Sequence, residues 1–349
     1  MAEARRAAAA QMTAPMVVVA IVAYGRAEEV VRCLSALARS SLAAFEVVIV
    51  ENGGAAAWEA LCAALAGCLP SAAGRPARVV AEPWRCGPRA LRWRRFALAG
   101  GQPVLAVEAA DNLGYGGGVN LALAAIAEAP GWRGVWILNP DTEPEPEALA
   151  NLVEYAEAGG YGLVGCRLVL SAEGIVQMRG GTWRRLVGRG QSLGWGEPAD
   201  AAADSAAVER RLEWVSGAAC YATRDFVERV GPMNEDYFLY CEDVDWSLRG
   251  RLFRLGYAHA AIVRHAAGTA IGSAASIRAR SNLSIYLAQR NALLLARRRF
   301  ARLYPLVVLV MLALTPDYLL RGDRRSFAAA CRGWWAGLRG ETGRPRRRP

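Results

Sequence analysis

The chain has 349 residues, 54% of them apolar, and a formal charge of +10 in which every basic side chain is Arg. That length holds one large domain or two smaller ones with ample core. Its eight Cys residues include no CxxC pair, which argues against a zinc site or a disulfide framework and favours a reducing cytoplasm.

The Arg residues cluster at 85–95, 184–189, 297–302, 321–325 and 344–348. Such patches suit phosphate-bearing partners, namely anionic lipid, nucleotide diphosphate or nucleic acid. Nucleic acid is set aside because no reader motif accompanies the clusters.

The N-terminal ARRAAAAQMTAPMVVVAIVAYGR looks superficially like a signal peptide, but Gln11 and Pro15 interrupt its apolar stretch. The run at 16–23 reads instead as a buried parallel strand, followed by a helical pattern from Ala27 to Ala38. A second strand, FEVVIV, stops at Glu51-Asn52-Gly53-Gly54, and an Ala-rich helix follows. Strand, Gly-containing turn and helix form the unit of a doubly wound α/β fold, whose ligands sit beyond the carboxyl ends of the strands. Tyr24, Glu51 and Asn52 fall at that edge. Residues 70–103 read as irregular, and PWRCGPRALRWRRF suits a membrane interface, a phosphorylated acceptor or a plain exposed insertion.

In AADNLGYGGGVNLALAAIAEA a Gly-rich turn opens a helix. Backbone amides there, around Asn112, Gly114 and Gly117, suit a phosphate or a closely approaching sugar. GVWILNPDTEPEPEALANLVEYA gives strand, acidic turn and helix, with Asp141 where a carboxylate can hold a divalent cation; taken alone, the stretch is better explained as a simple β-turn. Residues 162–215 read as strands and hairpins, ending at EWVSGAACYATR, where Gly217 suits a ligand near the backbone.

Next stands YFLYCEDVDWSLR, with Glu242, Asp243 and Asp245 directly behind an apolar run. Desolvation and mutual repulsion raise carboxylate pKa values, as a general base needs. The same acids also complement a helix N-terminus, with Asp245 and Arg249 paired at i,i+4. A further strand closes near His265, and the pattern from Ser281 onward is helical. No segment reaches the roughly 20 apolar residues of a membrane span. The nearest is Tyr304–Leu314, which suits either an interfacial helix or a buried or oligomeric contact.

Taken in order, AYGR, VVIVENGG, DNLGYGGGVN, WILNPDT, WVSGAACYATR, VGPMNEDYFLYCEDVDWSLR, His265 and YLAQRN resemble the inverting family 2 glycosyltransferases of GT-A fold. The likeness is to their rhamnosyltransferase and galactofuranosyltransferase branch, over about residues 16–300. It implies an α/β fold with a mostly parallel Rossmann-like sheet, helices on both faces and a C-terminal helical extension. Asp243 would be the catalytic base and Glu242 its neighbour, with Gly217 and Asp245 towards the acceptor. Tyr24, Glu51, Asn52, Asn112, Gly114, Gly117, Asn139 and Asp141 would line the donor site. Asp141 and His265 would hold Mg²⁺ or Mn²⁺, while Arg290 and Asn291 would support the C-terminal helix. Four features depart from the family pattern: Gly25 replaces Asn, Glu51 replaces Asp, Asn139 replaces the first acid of the DXD motif, and 70–103 is an insertion.

The expected layout is a disordered tail at 1–14, a glycosyltransferase domain at 15–270 and a helical, basic extension at 271–349. The expected activity is transfer of a rhamnosyl or similar sugar from a dTDP- or UDP-linked donor to a glycan or polyprenyl-diphosphate-linked glycan in cell-surface polysaccharide synthesis. Location would be cytoplasmic, with peripheral contact to an anionic membrane. The rival readings are an inactive relative and a basic membrane-peripheral scaffold.

Overall fold

The computed structural model describes residues 16–70, 87–127, 131–266, 280–320 and 322–345. The expected tail at 1–14 and residues 71–86 of the expected insertion lie outside them.

Strands β1 (Met16–Ala23) and β2 (Phe45–Glu51) are buried along their whole length. Their alternation divides two cores. Val17, Val19 and Ile21 pack on one face with Leu34 of α1 (Ala27–Leu37) and Leu61 of α2 (Ala55–Cys68). Val18, Ala20 and Val22 pack on the other with Val119 and Leu123 of α3 (Gly114–Ala124). Side chains of period two feeding two apolar layers explain why these strands read as unbroken β-branched runs.

Strand β3 (Ala90–Ala97) pairs antiparallel with β4 (Pro103–Ala109). The expectation of irregular chain through 103 is therefore corrected. Leu98 and Gln102 close a hairpin around Gly101, whose φ of +86° suits glycine. The Arg and Trp side chains of β3 obscured its pattern because it is an edge strand, exposed along half of its length.

The chain continues through β5 (Trp132–Leu138), β6 (Thr142–Pro144), α4 (Ala148–Gly159), β7 (Tyr161–Leu170), β8 (Ile175–Met178), β9 (Gly181–Arg184) and β10 (Arg189–Ser192). Then come α5 (Ser205–Glu209), β11 (Ala219–Thr223), α6 (Arg224–Val230), α7 (Glu242–Arg249) and β12 (Arg254–His265). The main sheet runs β3-β4-β2-β1-β5-β11-β7-β12-β6, with β8 on β7. Strands β4, β2, β1, β5, β7 and β12 share one direction, and β11 lies antiparallel between β5 and β7. The sheet is thus mostly parallel, as expected. The carboxyl ends of the parallel strands and the amino end of β11 meet at one edge, so Tyr24, Glu51, Asn112, Asn139, Gly217 and His265 converge from distant sequence positions.

The C-terminal helices are α8 (Asn282–Arg299), α9 (Tyr304–Leu314), α10 (Asp317–Leu320) and α11 (Arg324–Leu338). Ser281 and Asp323 cap α8 and α11 through side-chain oxygens that accept backbone N–H groups. Contrary to expectation, the helical stretch Ala301–Leu320 has the length and composition of a membrane span. The sequence reading stopped at Leu314 because Thr315, Pro316 and Asp317 interrupt the apolar run.

Helix α11 lies close against α8 through two glycines one turn apart. A Cβ on Gly333 would stand 2.3 Å from the Tyr286 carbonyl oxygen, and one on Gly337 would stand 2.8 Å from that of Arg290. Gly333→Ala is expected to destabilise the protein by about 1–3 kcal/mol, because backbone cannot yield cheaply. Chemical denaturation of the two proteins checks this, and an unchanged midpoint would contradict the packing.

Candidate active site

The site is built around the turn that delivers α7. Phe238, Tyr240 and Cys241 have φ of 63°, 70° and 71°, a left-handed conformation that side chains with a Cβ adopt only under constraint. The constraint comes from α8. Asn291, fully buried, aims its Nδ2 at the carbonyl oxygens of Tyr237, Leu239 and Tyr240 at 2.9, 2.7 and 2.9 Å. Its two N–H groups are shared among three acceptors. Arg290 donates to the Tyr237 carbonyl at 2.8 Å and fixes Asn291 through its Oδ1 at 2.9 Å. On the other side, Tyr115 N–H donates to the Phe238 carbonyl at 2.7 Å. Gly114 permits that approach, since a Cβ there would stand 2.1 Å from the same oxygen.

Two expectations change as a result. Arg290 and Asn291 hold the turn before the acids rather than only supporting their own helix. The Gly-rich helix start uses its first amides within the protein: Gly114 N–H donates to Asn112 Oδ1 and Tyr115 N–H to Phe238. Gly117 is buried against Leu113, where a Cβ would stand 2.7 Å away, so its part is packing. Asn52 is buried too, donating to the Gly114 carbonyl at 2.8 Å while its Oδ1 accepts from Leu113 N–H. It ties the Gly-rich turn to β2.

The turn presents Glu242 and Asp243 at the start of α7. Asp243 Oδ2 accepts Gly217 N–H at 3.0 Å, and Oδ1 accepts Val244 N–H at 2.8 Å. Burial raises its pKa, and those N–H groups offset part of the rise. Glu242 is buried, and its pKa is raised first by burial and then by the Asp243 charge. Its Oε2 has no hydrogen-bond partner among the described residues. Gly217 is needed for closeness, since a Cβ there would lie 3.3 Å from both Asp243 and Tyr115. Tyr115, which sequence reasoning missed, donates its hydroxyl to the Gly217 carbonyl at 2.6 Å. Its signal was available: it is the one aromatic inside the run GYGGG.

Asp245 does not face an acceptor. It is fully buried, accepting Arg299 Nε at 2.6 Å, Arg249 Nε at 3.1 Å and the Tyr237 hydroxyl at 3.2 Å. The i,i+4 pair with Arg249 is present, and Arg299 adds a tie from α7 to α8.

Across the edge, Tyr24 is 52% exposed at the end of β1, open to stack on a planar ring. Gly25 takes φ +67° and donates its N–H to Glu51 Oε1 at 2.9 Å, with Gly53 N–H on the same oxygen at 2.7 Å. The two departures from the family pattern therefore engage each other. Burial raises the Glu51 pKa against these two hydrogen bonds.

Asp141 and His265 meet, although 124 positions separate them: Oδ1 lies 3.1 Å from Nε2. His265 Nδ1 lies 2.7 Å from Gln177 Oε1 on β8, a second residue the sequence did not suggest. Asn139 turns its carbonyl inward to Thr142, and its Oδ1 is buried with no hydrogen-bond partner among the described residues.

No protein-family model matches the chain. It is 23% identical over 251 residues to the low-salt glycan biosynthesis hexosyltransferase Agl10 of Haloferax volcanii, covering 69% of this chain and 78% of that one. It is 30% identical over 165 residues to an N-acetylglucosaminyl-diphospho-decaprenol L-rhamnosyltransferase of Mycobacterium tuberculosis, covering 42% of this chain and 52% of that one. That match spans about half of the mycobacterial protein. The fold aligns with S. aureus TarS 1-349 at a TM-score of 0.50 and 12% identity, over 93% of this chain and 81% of that one. The chain has the GT-A fold, and its sequence is similar to those of two glycosyltransferases.

The question of a divalent cation turns on Asp141 and His265. His265 Nδ1 faces Gln177 Oε1, and its Nε2 stands beside the Asp141 carboxylate oxygen. An imidazole nitrogen and a carboxylate oxygen at that separation fit a shared cation. Carboxylate and imidazole in that arrangement, with the Asn139 amide oxygen in the same turn, fit Mg²⁺ or Mn²⁺. Among the described residues no cluster of three or more His, Cys, Asp or Glu completes a cage, so further ligands must come from elsewhere.

Asn291→Ala is expected to leave the Leu239 and Tyr240 carbonyls without the Asn291 donor, while Tyr237 keeps Arg290 and Leu239 N–H, at a cost of about 1–3 kcal/mol. Calorimetry should show a lower melting temperature with near-native far-UV circular dichroism. A melting temperature equal to wild type would mean that the turn holds its conformation without Asn291.

Proposed function

We propose that this protein is a glycosyltransferase acting with inversion, moving a rhamnosyl or similar hexosyl unit from a UDP- or dTDP-linked donor to a hydroxyl of a glycan or polyprenyl-diphosphate-linked glycan. The place of action is the cytoplasmic side of a membrane, in cell-surface polysaccharide synthesis. The observation that carries the reading is Asp243, held by the Gly217 and Val244 amides beside buried Glu242, at the same sheet edge as Asp141 and His265. The activities of the Haloferax and Mycobacterium relatives support hexosyl transfer and a lipid-diphosphate acceptor.

In the step, Asp243 takes the proton of the acceptor hydroxyl as that oxygen bonds to the anomeric carbon. The bond from that carbon to the diphosphate oxygen breaks on the opposite face, and the electron pair leaves with the nucleotide diphosphate. One base suffices because the leaving group is already anionic. A cation held by Asp141 and His265 would neutralise that diphosphate when bound. Tyr24 stacks on the base of the nucleotide, and Gly217 lets the acceptor approach Asp243.

Asp243→Asn keeps the shape but not the proton acceptance, and is expected to cut turnover by about 10²–10⁴ with donor affinity nearly intact. Single-turnover assays with separate nucleotide-binding titrations check this; near-wild-type turnover would remove Asp243 as the base. The pH profile follows from the raised carboxyl pKa values. The base works ionised, so activity should rise with pH through an acid limb lying above the ordinary carboxylate range. That limb belongs to the Glu242–Asp243 pair. Glu242→Gln leaves Asp243 to titrate alone, so the limb should reduce to a single ionisation. A limb of unchanged shape would show that the two carboxyls do not interact.

Asp141→Ala is expected to weaken nucleotide binding in Mn²⁺ by about 2–5 kcal/mol while leaving metal-free binding little changed. Titration calorimetry with UDP and dTDP, with and without Mn²⁺, separates the two terms. Equal affinity of the two proteins in Mn²⁺ would oppose the assigned role.

A further inference from the structure

Helix α9 is apolar on both of its faces, and the protein covers only one. From Leu303 to Pro316 the sequence contains no charged residue. Val307, Met311, Thr315 and Tyr318 are buried against the rest of the molecule. On the opposite side Leu306, Leu309, Leu312, Leu319 and Leu320 are 46%, 63%, 47%, 46% and 76% exposed. They form a stripe along Ala301–Leu320, which has a mean hydropathy of 1.8 and is only 22% buried. A helix hydrophobic all round is ordinarily enclosed, so this face implies a partner.

Charge identifies the partner. Residues 297–349 hold 13 Arg against the three acids Asp317, Asp323 and Glu341, a net of +10. The preceding 296 residues hold 29 basic and 29 acidic side chains, so the entire net charge of the protein lies in the segment carrying the apolar face. Arg302 precedes the stripe, Arg324 and Arg325 follow it, and all three are exposed. Leucines between arginines match the acyl boundary and phosphates of an anionic bilayer. A second copy fits poorly, because it would bring a second +10 segment against the first. A membrane crossing fits poorly as well. It would strip Val307 and Met311 from their core, break the hydrogen bond from Trp334 Nε1 to the Val308 carbonyl, and carry Asp317 into the bilayer.

We propose that α9 and α10 lie in the plane of an anionic membrane surface, with the outward leucines in the acyl boundary and the flanking arginines on lipid phosphates. This surface is independent of the transfer reaction. It bears on that reaction through α8, which leads into α9 and holds both Asp245, through Arg299, and the turn before Asp243, through Asn291. Docking the face would therefore fix the cleft at a set orientation to the bilayer, where a lipid-linked acceptor sits.

The test is flotation of the full-length protein with vesicles of phosphatidylcholine alone and with about 30 mol% phosphatidylglycerol. Binding is expected to the anionic vesicles only, and to weaken steeply towards about 0.5 M NaCl. Leu309→Glu with Leu312→Glu should lower the bound fraction by about tenfold with an unchanged melting temperature, since both positions are exposed. Arg302→Glu with Arg324→Glu and Arg325→Glu should abolish the preference for anionic lipid. Wild type that stays unbound with anionic vesicles at low salt would overturn the proposal. So would a leucine variant that floats as well as wild type. A wild-type dimer in light scattering that the leucine variant dissociates would instead assign the face to a second copy.

Discussion

The contact on which the site depends is the amide of Asn291 against the carbonyls of Tyr237, Leu239 and Tyr240. Left to itself, a segment with three non-glycine residues at positive φ would relax, at roughly 1–2 kcal/mol gained per residue. Relaxation would swing α7 and carry Asp243 away from the Gly217 amide. Buried donors hold the turn from one side, and the Gly-rich helix start holds it from the other through Tyr115 and the space left at Gly114. The acids are thus placed by elements about 50 residues ahead of them and more than 100 behind.

A second device reinforces the first. Asp245 draws Arg249, Arg299 and Tyr237 together in a fully buried cluster, so that α7 and α8 share one ion-pair node. Helix α11 in turn presses on α8 through Gly333 and Gly337. The C-terminal helices are consequently part of the frame that orients Asp243. Asp243 and Glu242 remain beside this frame with their pKa values raised by burial, a state that stiff surroundings can sustain and a mobile loop could not.

On the opposite side of the cleft the same economy applies to Gly25 and Glu51. The longer acid reaches back to the Gly25 amide, and glycine supplies the backbone conformation that makes the reach possible. Viewed separately these residues are departures from a family pattern; in the fold they are one arrangement that leaves Tyr24 exposed at the rim.

The sequence by itself determined the elements whose signal is local. Unbroken β-branched runs identified β1 and β2, Ser281 marked the start of α8, and the order of short motifs pointed to the GT-A fold and to Asp243, Asp141 and His265. It also showed the Asp245–Arg249 pair, because i,i+4 spacing is readable in one dimension. The hairpin strand β3 escaped notice because an exposed Arg-rich edge carries no apolar alternation. Only the tertiary structure decided which polar groups face a ligand and which are used within the protein. Asn52, Gly117 and Asp245 proved to be internal, while Tyr115, Gln177 and Asn291 entered the site or its support. The physical reason is that a side chain's role depends on which hydrogen-bond partners reach it first. Those partners come from strands and helices that the sheet topology, rather than sequence proximity, brings to one edge.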